Sequence, residues 1–80
     1  MVALNEWRRR IRIDSAVHHG DPCIAGTCVP VSVLVGSIAD GDSFEQIIRS
    51  YPQLTVEDIR AALHFAAEAV NRFDFVSVKG

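Results

Sequence analysis

The stretch GDSFEQIIRSYPQLTVEDIRAALHFAAEAVNRF, residues 41–73, decides the fold. Ser43 and Gln46 form a capping box, in which a hydroxyl and an amide satisfy backbone N–H groups left free at a helix start. Phe44, Ile47, Ile48 and Tyr51 recur at i, i+3, i+4 and i+7, placing them on one face of a short helix. Pro52 ends that helix, because proline restricts the residue before it and has no N–H to donate. Thr55 with Asp58 repeats the capping box, and Leu54 with Ile59 can close a hydrophobic staple across the new first turn. Ile59, Ala62, Leu63, Ala66, Val70 and Phe73 then keep helical spacing without an intervening Gly or Pro. The segment Thr55–Phe73 would be roughly 28 Å long at the usual helical rise. Two helices joined by a four-residue turn containing proline read as a helix-turn-helix.

Upstream of this unit, Pro30 suits a first helical turn, and Val31, Leu34, Val35 and Ile38 continue at helical spacing to Gly41, a residue suited to a left-handed helix end. Three helices are thus expected. The preceding Asp14–Pro30 has turn signals at Gly20-Asp21-Pro22 and Gly26-Thr27, with Cys23-Ile24 and Cys28-Val29 as short strand pieces. Further upstream, Ile11 and Ile13 alternate with Arg10 and Arg12, as in a short strand with its isoleucines inward and its arginines outward. Trp7 would anchor this arm to the core or to a partner chain. The tail, residues 74–80, includes Phe75-Val76-Ser77-Val78 and reads as an extended segment. The expected fold is mainly α with a small N-terminal β element in one domain, residues 1–80. Residues 1–30 form an arm and β element, 31–73 a three-helix unit, and 74–80 a tail.

Composition narrows the function classes. The chain has 80 residues, 49% of them apolar, and a formal charge of −2. A chain this short buries roughly 60–65% of its unfolded surface, so added burial by oligomerisation is expected. No apolar run approaches the length of a membrane span, and the N-terminus lacks the apolar core of a signal peptide, so the expected location is the cytoplasm. Cys23 and Cys28 fit reduced thiols there. His18, His19, Cys23 and Cys28 lie close together, yet no C-x₂-C or H-x₃-H pair is present, and no metal or other cofactor is expected. Phosphate-binding glycine motifs are missing, and a chain this short has little room for a substrate pocket, so no enzymatic activity and no catalytic residue are expected.

Two surfaces remain as candidates. Arg8, Arg9, Arg10 and Arg12 make up half of the Lys and Arg residues. They can serve as phosphate contacts or as charges that keep an edge strand solvated. At the start of the long helix, Gln53, Thr55, Arg60 and His64 are the groups able to approach base edges, but Glu57 and Asp58 beside them would repel DNA. A second apolar row, Ala61, Phe65 and Ala69, runs along a neighbouring face of that helix. It would pack against the same row of a second copy, unless the N-terminal element and the tail cover it within one chain.

The order of motifs resembles a known family. It is carried by Gly20-Asp21-Pro22-Cys23-Ile24, Gly26-Thr27-Cys28-Val29-Pro30-Val31, Ser43-Phe44-Glu45-Gln46-Ile47 and Tyr51-Pro52-Gln53-Leu54-Thr55-Val56-Glu57-Asp58-Ile59. In these the chain is similar to the small bacterial family catalogued as domain of unknown function 433, over about Ile13 to Val70. The resemblance implies a β element followed by a homeodomain-like three-helix unit, frequent dimerisation, and an antitoxin-like role. In that role the protein would bind a neighbouring ribonuclease toxin and the operon's own promoter. Where the family commonly carries arginines around the Gly-Thr turn, this chain has Ala25 and Cys28. The resulting expectation is a homodimeric antitoxin-like regulator that binds DNA, a toxin encoded by an adjacent gene, or both. The alternative is a protein-interaction module without DNA binding.

Overall fold

The structure, a computed structural model, describes residues 6–16 and 20–72. His18, His19, Phe73 and the tail therefore lie outside the described residues. A 3-10 helix, Glu6–Arg10, leads into strand β1, Ile11–Arg12; β2 is Cys23–Ile24, and the helices are α1, Val31–Ala39, α2, Phe44–Ser50, and α3, Val56–Arg72. The fold is mainly helical, with three α-helices and a small N-terminal sheet among the described residues.

β1 pairs antiparallel with β2, Ile11 opposite Ile24 and Arg12 opposite Cys23. After β2 the chain reverses through Ile24–Thr27, closed where the Thr27 N–H donates to Ile24 O at 3.1 Å. This turn needs a left-handed residue at its third position, and Gly26 supplies it at φ +81°. The returning segment stays beside β2, because the Ile24 N–H donates to Val29 O at 3.0 Å and the Val31 N–H to Pro22 O at 2.9 Å. Those bonds deliver Pro30 to the N-cap position of α1.

Both capping boxes form. Ser43 Oγ accepts from the Gln46 N–H at 3.1 Å, while the Ser43 N–H donates to Gln46 Oε1 at 2.7 Å. Thr55 Oγ1 accepts from the Asp58 N–H at 3.2 Å, and the Thr55 N–H donates to Asp58 Oδ2 at 3.0 Å. Gly41 follows α1 at φ +100° and its N–H donates to Ile38 O at 3.0 Å, the left-handed helix end that its position suggested. Residues 51–55 connect α2 to α3.

Ile24, Val29, Val31, Leu34, Ile47, Leu54, Ile59 and Ala62 form the buried core, with Leu34 and Ile59 fully enclosed. The staple residues Leu54 and Ile59 thus share one cluster with Ile24 of the β element. The strand expected around Ile11 and Ile13 is shorter than its alternation suggested. Residues up to Arg10 coil into the 3-10 helix, Ile13 is 61% exposed, and Arg10 turns inward. Two carboxylates on α3 draw the arm onto that helix, as described below.

Close packing around Leu34 sets a test. Leu34→Ala should cost about 2–5 kcal/mol, a large share of the roughly 4–12 kcal/mol expected of a chain this size. Val33→Ala, at a partly exposed neighbour, should stay within about 0.5 kcal/mol. Urea unfolding followed by far-ultraviolet circular dichroism measures both. An unchanged midpoint for Leu34→Ala would contradict the packing described.

Candidate functional site

The arm and α3 meet along one side of the molecule. Trp7 lies flat against His64, with ring centroids 5.8 Å apart and planes inclined by 13°, and meets Phe65 edge-on at 6.5 Å. Arg8 places its guanidinium carbon 4.6 Å from the centre of the Trp7 ring, within cation–π range. Its Nη2 also reaches Glu68 Oε2 at 2.9 Å, and Arg72 Nε donates to the same oxygen at 3.2 Å. Arg10 Nη1 donates to Asp58 Oδ1 at 3.0 Å.

Asp58 is the buried charged residue among those described, at 8% exposure, and both of its oxygens are satisfied. Oδ2 caps α3 through the Thr55 N–H and Oδ1 holds Arg10, so one carboxylate fixes the helix start and the arm together. A buried carboxylate persists only when paired and hydrogen-bonded in this manner.

Arg9 Nη2 lies 3.7 Å from Glu6, and Arg12 Nη2 lies 3.3 Å from Asp14. Both pairs are exposed, and such pairs contribute about 0–1 kcal/mol. Each arginine of the basic patch therefore has a carboxylate within the chain, although Arg8, Arg9 and Arg12 remain exposed. Gln53, Thr55 and Arg60 are exposed, Thr55 with its hydroxyl in the cap. His64 is exposed as a residue, but one ring face carries Trp7.

The apolar row Ala61, Phe65 and Ala69 is divided. Ala61 is fully buried within the single chain and Phe65 lies half-buried against Trp7, leaving Ala69 exposed. Trp7 of the arm thus covers part of this row, at Phe65, within the single chain.

The cysteines face a cleft lined by Arg12, Asp14, Asp21, Cys23, Thr27 and Cys28. Both are free thiols, Cys23 buried and Cys28 exposed. The Cys23 thiol donates to Asp21 O at 3.4 Å. Burial, together with the neighbouring Cys28 and Asp21, pushes its pKa up. Among the described residues no group of three His, Cys, Asp or Glu side chains is placed to hold a metal ion. No described helix is long and apolar enough to cross a membrane.

With this geometry in place, the chain can be set beside known proteins. The model of the family described as protein of unknown function (DUF433) matches residues 11–66. The chain belongs to the DUF433 family. A crystal structure of a DUF433 member from Anabaena variabilis superposes with a TM-score of 0.73 at 32% identity, over 79% of this chain and 62% of that one. The uncharacterized protein y4eO of Sinorhizobium fredii is 40% identical over 47 residues, 59% of this chain. The match spans only 21% of that relative's length. The DUF433 match begins at Ile11 and so takes in β1, β2, all of α1 and α2, and α3 as far as Ala66. The 3-10 helix that carries Trp7, Arg8 and Arg10 lies before it.

Trp7 was expected to anchor the arm and does so on α3, whereas the Arg10–Asp58 pair was absent from the candidate site as read from sequence. The one available signal was Asp58 itself, an acid whose cap uses one oxygen and leaves the other in need of a donor.

Two measurements test the docked arm. Arg10→Ala should destabilise the fold by about 1 kcal/mol, the figure for a charged hydrogen bond discounted for the exposure of Arg10. It should also shift emission of Trp7, the single tryptophan, to longer wavelength before global unfolding, whereas Arg9→Ala should do neither. The second concerns Glu68, whose pKa is held below its ordinary value chiefly by the hydrogen bond from Arg8, with Arg72 adding to it. A carboxylate lowered in the folded state stabilises above its unfolded pKa and loses that contribution as pH falls through the folded one. In Arg8→Ala the Glu68 carboxyl, followed by NMR titration, should titrate at higher pH than in the parent chain. An unmoved titration would show that Arg8 does not hold it.

Proposed function

We propose that this DUF433 protein is a non-enzymatic helix-turn-helix-shaped module that binds a partner protein, as an antitoxin binds its toxin, rather than a reader of DNA. The observation that supports this reading is the internal pairing of the arginine arm. Arg8 and Arg10 hold carboxylates of α3, and Arg9 and Arg12 hold those of Glu6 and Asp14. Phosphate contacts by these groups would have to displace existing partners, and the chain's net charge of −2 gives no long-range attraction to a polyanion. The partner would be a toxin-type protein encoded by an adjacent gene, met in the cytoplasm.

A second reading, promoter binding, is favoured by one specific observation. Arg10 neutralises Asp58, so Glu57 is the exposed acid remaining at the start of α3, beside the exposed Gln53, Thr55 and Arg60.

Fluorescence anisotropy with DNA from upstream of the gene, at about 50 mM salt, separates the two when run beside co-purification with the adjacent gene product. The expected result is a stable protein complex and DNA binding no tighter than the non-specific range of about 10⁻⁴–10⁻⁶ M. Tighter, sequence-dependent DNA binding without a protein complex would overturn the proposal in favour of the second reading.

A further inference from the structure

The β element carries two thiols on one side of its turn. Cys23 lies in β2 opposite Pro30, with the Ile24 N–H on Val29 O and the Val31 N–H on Pro22 O closing the ladder on either side of that pair. Side chains alternate between the two faces of such a ladder. Ile24 and Val29 turn into the core, so Cys23 and Cys28 share the opposite face, and both line the same cleft. The two sulfurs differ in access: Cys23 is 5% exposed, whereas Cys28 is open to solvent.

We infer that Cys28 is a site of reversible oxidation by a peroxide and that Cys23 is its resolving thiol, the product being an internal Cys23–Cys28 disulfide that locks the β element. The inference stands apart from the interaction-module reading, since no partner protein enters it. The Cys28 thiolate, on the exposed sulfur, attacks one peroxide oxygen. An S–O bond forms, the O–O bond breaks, and the departing hydroxide takes up the proton that the Cys28 thiol released, leaving a sulfenic acid. The Cys23 sulfur then attacks the Cys28 sulfur, forming S–S and breaking S–O, and the hydroxide that leaves takes the Cys23 thiol proton as water. Two electrons thus pass from sulfur to the peroxide, which ends as water. A dithiol reverses the oxidation by exchange, returning both cysteines to thiols and becoming a disulfide itself.

The turn between the cysteines suits this closure. Thr27 Oγ1 donates to Ile24 O at 2.9 Å and accepts from the Val29 N–H at 3.1 Å, which keeps the two limbs of the turn side by side. Diagonal neighbours across a ladder lie roughly 7–8 Å apart at Cα, about 1 Å beyond the span that a disulfide closes. Gly26 sits between them at φ +81°, and no other part of the chain comes within 4 Å of the place a Cβ would occupy there. The turn can therefore tighten without meeting a packed side chain.

The test treats the full chain with hydrogen peroxide and follows intact mass and peptide maps. The parent chain should lose about 2 Da, the two thiol hydrogens, with Cys23 linked to Cys28 and dithiothreitol restoring the starting mass. Cys23→Ser should instead gain about 16 Da at Cys28, trapped there as the sulfenic acid by dimedone. Cys28→Ser should react about tenfold more slowly, because its remaining sulfur is buried. Circular dichroism confirms that both variants stay folded. Hydrogen exchange on the parent chain adds a readout that needs no variant: the Ile24 and Val31 amides should exchange about tenfold more slowly in the oxidised form than in the reduced one. No internal disulfide, a disulfide between two chains as the main product, or Cys28 passing to sulfonic acid while Cys23 stays reduced in the parent chain would each overturn the inference. So would equal rates for the parent and Cys28→Ser chains, or exchange unchanged by oxidation.

Discussion

The carboxylate of Asp58 holds together two parts of this molecule that lie far apart in sequence. One oxygen completes the N-terminal cap of α3 and the other binds Arg10, which stands 48 residues earlier. Removing the acid would undo a helix start and an arm attachment at once. Neither partner can be exchanged freely, since a carboxylate at low exposure is costly to leave without its hydrogen bonds. Around this point the rest of the arm falls into place, with Trp7 spanning His64 and Phe65 and Arg8 reaching Glu68.

This arrangement changes what the charges mean. In the sequence, four arginines within five positions stand out as a basic patch, and Glu57 with Asp58 stands out as an acidic helix start. In the fold the two features partly cancel: Arg10 lies on Asp58, and Arg8 lies on Glu68 a few turns further along α3. What remains at the surface is a more even distribution of charge, with Arg49 and Arg60 the arginines lacking an ion pair among the described residues. An electrostatic footprint counted along the chain therefore overstates the one available to a ligand.

Much of what rested on local geometry was legible in the sequence. The capping boxes at Ser43 and Thr55, the left-handed Gly41 after α1 and the turn at Gly26 each depend on residues within four positions of one another, and all form as read. Helical periodicity likewise placed Leu34, Ile47 and Ile59 in the core. The strand in the arm was read as too long, because alternation of Ile and Arg over four residues does not reveal that Arg10 is drawn onto a distant acid. The covering of Ala61 and Phe65 was offered only as an alternative, since stacking of Trp7 on His64 leaves no pattern in sequence spacing.

The wide separation of Arg10 from Asp58 also has a consequence in time. Residue 10 leaves the ribosome 48 positions ahead of its partner, an interval of roughly 2–10 s at ordinary rates of synthesis. Throughout that interval the arm exists without the helix it will occupy, its guanidinium groups open to whatever anionic surface lies near the tunnel exit. Closing so long a loop adds entropy cost only slowly with length, so docking need not be slow once α3 has formed. The basic character evident in the amino-acid sequence thus belongs most fully to the nascent chain, and completion of the last helix withdraws much of it.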